Sequence, residues 1–89
     1  SRATRRFNVA SPATLIQVVV GSTGSVQVAL TDQENTNLAQ ANVQAPGTFS
    51  HELAFAKPGV RILTITAQHA DRMESHHLRL DAMARRWAG

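Results

Sequence analysis

The clearest hydropathy pattern runs through Val60-Arg61-Ile62-Leu63-Thr64-Ile65-Thr66-Ala67, entered through Lys57-Pro58-Gly59 and left towards Asp71. A Pro-Gly turn that launches an alternating Ile/Leu/Thr run predicts one strand of a β-sandwich. Leu15 to Val20 is apolar on both faces, with Leu15 and Val19 on one and Ile16, Val18 and Val20 on the other, as in a strand buried on both sides. Gly21-Ser22-Thr23-Gly24-Ser25 is expected to turn the chain into Val26-Gln27-Val28-Ala29-Leu30, so residues 15–30 read as a hairpin. Thr31 to Asn37 is polar and rich in turn formers, and Leu38 to Val43 reads as a short strand whose alanines and glutamines equally permit a helical turn. Pro46-Gly47 is expected to break the chain again. Thr48 to Phe55 alternates strictly, with Phe49, His51, Leu53 and Phe55 on one face and Thr48, Ser50, Glu52 and Ala54 on the other. Near the N-terminus, Thr4 to Val9 alternates loosely, with Phe7 and Val9 on one side.

Turn signals thus recur about every 8–12 residues, the spacing of all-β folds. The prediction is all-β: an antiparallel two-sheet sandwich of about six or seven strands, forming one domain over residues 1–89. The tail from Met73 to Trp87 reads two ways. Met73, His76, Leu80, Met83 and Trp87 fall at heptad spacing, whereas His76, Leu78, Leu80, Ala82 and Ala84 alternate as on a strand. The need for a closing strand favours a strand up to about Met83, and a short C-terminal helix stays open.

Composition sharpens this reading. The 89 residues include no cysteine, so neither a disulfide nor a thiolate site supplements the core, and the 43% hydrophobic content must hold it together. The net charge of +3 is concentrated at the ends, in Arg2, Arg5, Arg6, Arg85 and Arg86. Between residues 7 and 84, four basic side chains against six acidic ones leave the body at −2. With no tyrosine and one tryptophan there is no stacking platform, and nucleic-acid binding is not expected. The terminal arginines could reach phosphate or an anionic lipid surface only if the two ends lie side by side. No apolar run approaches the ~18–20 residues of a membrane-spanning helix. The chain has neither an initiating Met nor a signal-peptide pattern, which is expected of a processed chain or a domain excised from a larger protein.

The segment from Pro46 to Ala82 resembles bacterial immunoglobulin-like and fibronectin type III-like modules. The residues that carry the likeness are Gly47-Thr48-Phe49, Leu53-Ala54-Phe55-Ala56-Lys57-Pro58-Gly59-Val60, Leu63-Thr64-Ile65-Thr66-Ala67, Asp71 and Leu78-Arg79-Leu80. The chain departs from antibody-type domains in having no cysteine pair, no tryptophan in a central strand and no tyrosine corner. The resemblance implies a non-enzymatic interaction, docking or spacer module of a larger bacterial surface or periplasmic protein, hence a periplasmic or extracellular location. It implies a protein partner or neighbouring domains, and neither catalytic residue nor cofactor.

The sharpest candidate chemistry is His69, Met73, His76 and His77, whose imidazole and thioether groups suit copper or zinc. That gives an alternative reading as a small periplasmic metal-binding domain. The spacing matches neither an HExxH helix nor a zinc finger, and two turn flanks carrying histidines account for the same residues. Ser50-His51-Glu52 has the letters of a triad, but neighbours on a strand point to opposite faces. Gly21 to Ser25 lacks the Lys and following helix of a phosphate loop. Asp32, Glu34, Asn35 and Asn37 have calcium-type oxygens without EF-hand spacing, and turn chemistry explains them equally. Met73, Met83 and Trp87 are expected either to contact a partner or to close the core.

Overall fold

The structure, a computed structural model, describes residues 2–10, 13–55, 59–70 and 78–86, the last two by backbone alone. It is all-β among these residues, with five strands: β1 (Arg2–Val9), β2 (Ala13–Thr31), β3 (Asn37–Ala54), β4 (Arg61–His69) and β5 (Arg79–Arg86). All pairings are antiparallel, in the order β1-β4-β2-β3, with β5 also on β2. β2 is central. It pairs with β3 on one side along its whole length. On the other side it pairs with β5 from Thr14 to Gly21 and with β4 from Val26 to Thr31.

A straight strand of β2's 19 residues would reach about 60 Å at ~3.3 Å per residue. The molecule's longest extent is 42 Å and its shortest 16 Å. The β2–β3 ribbon therefore bends within the single five-stranded sheet. The burial pattern requires the same thing. Ile16, Val18 and Val20 before the bend, and Val26 and Leu30 after it, are all 0% exposed. Among the described residues nothing other than the sheet itself covers that face. They join Leu63, Ile65, Ala67, Leu78, Leu80 and Val9 in a single apolar cluster.

The bend lies at Gly21-Ser22-Thr23-Gly24, where Val20 faces Gly47 and Gly24 faces Ala45, so that three β2 residues oppose Pro46 alone. The two-residue excess preserves the alternation, and even-numbered β2 positions face inward on both sides of it. Gly24 has a φ of 88°, a left-handed conformation that glycine adopts without penalty. The Ala45–Pro46 bond is cis. A Cβ on Gly47 would sit 2.7 Å from the Gln44 carbonyl oxygen and 2.9 Å from Val43 Cγ1, so only glycine fits there.

These observations correct several expectations. Gly21 to Ser25 does not reverse the chain, and the expected hairpin of residues 15–30 is one continuous strand. Likewise Pro46-Gly47 lies inside β3 instead of separating two strands. Among the described residues there are five strands where six or seven were expected, because residues that bend a strand are chemically the same as those that turn a chain. Leu15 to Val20 is buried on one face only, since Val19 is 49% exposed. The tail is strand over Arg79–Arg86, as favoured, with no helix among the described residues. Phe49, His51, Leu53 and Phe55 share the inner face as the alternation predicts.

The actual reversal between β2 and β3 is at Asp32–Thr36. Asp32 Oδ1 accepts hydrogen bonds from the Glu34 and Thr36 amides at 2.9 Å, and the Asp32 carbonyl accepts one from the Asn35 amide at 3.0 Å. Asn35 takes a φ of 66°, which its short polar side chain tolerates. Gln33 Oε1 accepts the Ile62 amide at 3.0 Å, tying this turn to β4 just beyond the last β2–β4 pair.

Gly47→Ala is expected to destabilise the fold by roughly 1–3 kcal/mol, because the added methyl meets backbone. Gly21→Ala is expected to change stability by less than about 1 kcal/mol, since its Cβ would meet only Arg79 side-chain atoms at ordinary contact distance. Urea unfolding of the two variants checks the contrast.

Candidate functional site

Of the predicted metal set, the structure describes His69 alone; Met73, His76 and His77 lie outside the described residues. His69 ends β4 and is 3% exposed. Its ring fills the inside of the β2 bend, where Nε2 and Ser22 Oγ are 3.0 Å apart. The Ala70 amide donates to the Ser25 carbonyl at 2.9 Å and closes the same corner. His69 Nδ1 is buried without a hydrogen-bond partner among the described residues. A serine hydroxyl against an imidazole is also the first half of a nucleophilic dyad. Among the described residues no third group orients the ring, and neither residue lines any of the surface grooves described below. The pair therefore acts as a brace between the irregular part of β2 and the end of β4. Sequence carried no signal for it, since the two residues are 47 positions apart.

His51 is half-buried on the inner face of β3 and stacks on Phe49, with ring centroids 6.2 Å apart and planes at 5°. Ser50 and Glu52 point to the opposite, exposed face, so these three residues do not assemble. At the end of β3, the Arg61 guanidinium lies 3.9 Å over the Phe55 ring and Arg61 donates to the Gly59 carbonyl at 3.0 Å. This cation–π contact ties the residue just after β3 to the start of β4. Among the described residues no three His, Cys, Asp or Glu side chains are grouped to hold a metal ion. Of the candidate calcium oxygens, Asp32 is committed to its turn, and the Asn37 side-chain amide donates to Gln40 at 2.9 Å.

Of the predicted contact residues, Met83 is 47% exposed on the outer face of β5, and Met73 and Trp87 lie outside the described residues. In the β5-β2-β3 half, Gln17 sits between Ser50 and Met83, and Val19 between Thr48 and Asp81. Val19 and Met83 border a shallow groove with Thr48 and Asp81. A second groove runs between β1 and β5, lined by Arg2, Thr4, Arg5, Arg79 and Asp81, so the two basic strands do lie side by side.

The strand edges differ in chemistry. Among the described residues β1 is paired only with β4 and carries exposed Arg2, Arg5 and Arg6, while β5 is paired only with β2 and carries exposed Arg79. Charged side chains on an edge oppose pairing with another strand. β3 is also paired on one side only, with β2, yet its 18 residues include no Lys or Arg and one carboxylate, Glu52. Its inner row is unevenly covered: Phe49 and His51, and Phe55 just beyond the strand, are half-buried, while Leu53 among them is buried, as are the β2 positions Ile16 and Val18 that face His51 and Phe49. Sequence reading found the arginines but not their role, because which strands become edges is a property of the sheet order.

Comparison with protein-family models, with curated proteins and with solved structures gave no match.

Ser22→Ala is expected to lower stability by roughly 1–3 kcal/mol by leaving a buried ring nitrogen unpaired. Ser22→Ala and His69→Phe together should cost less than the sum of the single changes. A double-mutant cycle by denaturant unfolding measures that coupling.

Proposed function

We propose that this chain is a non-enzymatic docking module that takes an extended protein segment along the free edge of β3. One observation carries the reading: β3 is the sheet edge without a basic guard among the described strands, and its inward row is only half covered. A strand laid beside it would satisfy its outward-facing amides and carbonyls. Alternate side chains of that strand would extend the inner face past Phe49, His51 and Phe55. The matching segment is extended, apolar at every second position and free of acidic residues near Glu52. An immunoglobulin-like two-layer arrangement, in which such an added strand completes one layer, is part of the proposal. So is residence in a larger bacterial surface or periplasmic protein. The resemblance of Pro46 to Ala82 supports both.

A random-peptide display library, panned on the folded chain and read by amide hydrogen exchange, tests this. Selected peptides are expected to alternate apolar and polar residues and to slow exchange at Gly47–Ala54. Protection confined to the Val19–Met83 outer face would overturn the reading.

A further inference from the structure

Resting on that docking reading, we infer that the occupant of the β3 edge is a second copy of this chain, paired antiparallel about a two-fold axis at Ser50. A closed two-fold contact must be self-complementary, and the half of β3 after the bend meets that condition residue by residue. Centring the axis on Ser50 sets Phe49 of each copy opposite His51 of the other, and Thr48 opposite Glu52. Gly47 then faces Leu53, and Pro46 faces Ala54. The register keeps inward residues against inward residues, because each pair sums to an even number. The stacked Phe49–His51 pair, half exposed at the edge, becomes one continuous row of four rings across the axis. Cross-strand aromatic pairs of this kind add to sheet stability.

Charge and hydrogen bonding agree with the same register. Glu52, the one carboxylate-bearing side chain of β3, meets a threonine hydroxyl and not its own copy. Pro46, which has no amide to donate, falls opposite Ala54, the last β3 residue, so its missing donor lies at the end of the new ladder. The approach brings no cations together, since Arg2, Arg5, Arg6 and Arg79 belong to β1 and β5. Those guarded edges also stop growth after one step. Pairing uses up the Pro46–Ala54 stretch of both copies about one two-fold axis, and the outer strand of each joined half, β5, carries Arg79. The assembly is a closed dimer and not a filament.

The chain has no cysteine, so introduced thiols report the register directly. Facing residues of an antiparallel pair have Cβ atoms about 4.5–5.5 Å apart, near what a disulfide spans. Ser50→Cys is expected to cross-link between chains under mild oxidation, while Gln44→Cys, equally exposed on the same strand, is not. Sedimentation equilibrium of the unmodified chain should show a dimer at micromolar concentration. Phe49→Ala should weaken it about ten-fold, through loss of two ring pairs per interface, with an unchanged β-type circular dichroism spectrum. A chain that stays monomeric up to millimolar concentration, or that cross-links at Gln44→Cys in preference to Ser50→Cys, overturns the inference. If that monomer still has Gly47–Ala54 protected by an extended library peptide, the docking reading survives without the second copy. A dimer joined through β1 or β5 overturns both.

Discussion

Every strand of this molecule is hydrogen-bonded to β2, or, in the case of β1, to a strand that is. The backbone ladder on either side of that strand is therefore the constraint on which the fold depends. Its bend has to satisfy three conditions together: β5 must leave on one side before it, β4 must join on that same side after it, and β3 must follow it on the other. The small residues of Gly21–Gly24 allow the bend, and Gly47 allows β3 to follow at a point where no side chain fits. Ser22 and His69 then join the bend to the end of β4. With no cysteine cross-link, the single apolar cluster that draws on β2 residues from both sides of the bend is what holds the inner face of the sheet together.

The legible part of this fold was its faces. Period-two alternation assigned Phe49, His51, Leu53 and Phe55 to one side of a strand, in agreement with the structure, while in the tail it left strand and helix open and the need for a closing strand favoured the strand that is found. Connectivity was much less legible. Gly-Ser-Thr-Gly and Pro-Gly are written the same way whether they reverse a chain or bend a strand. The deciding information is that the two irregularities lie opposite each other, at residues 21–23 and 46. By contrast, the true reversal at Asp32–Thr36 has a local cause that sequence displays: an aspartate whose side chain accepts the amides that follow it. The brace of Ser22 and His69 depends wholly on tertiary placement. The histidine read as a possible metal ligand is, where the structure describes it, a buried contact of the corner.

The distribution of charge has a structural reading as well. Arginines cluster at the chain ends because the end segments form β1 and β5, strands with one side unpaired. The negative excess of the body is then what remains once that protection is set aside. On this view the bare edge of β3 is the informative exception, and its neutral, aromatic inner row distinguishes it from an edge that is merely unguarded. Pro46 divides that edge at the bend, leaving two separate stretches in place of one long template.

The shared ribbon also bears on how the molecule carries load. In a sandwich of two separate sheets, the layers meet only through side chains and can slide across one another. Here β2 and β3 run through both halves of one sheet, so sliding of the halves would require their hydrogen-bonded backbones to stretch at the corner. A pull applied at β1 passes sideways through β4 into β2, and from there into the other half along covalent chain. The apolar interior is thereby spared shear, and the corner, not the core, is where such a module would yield.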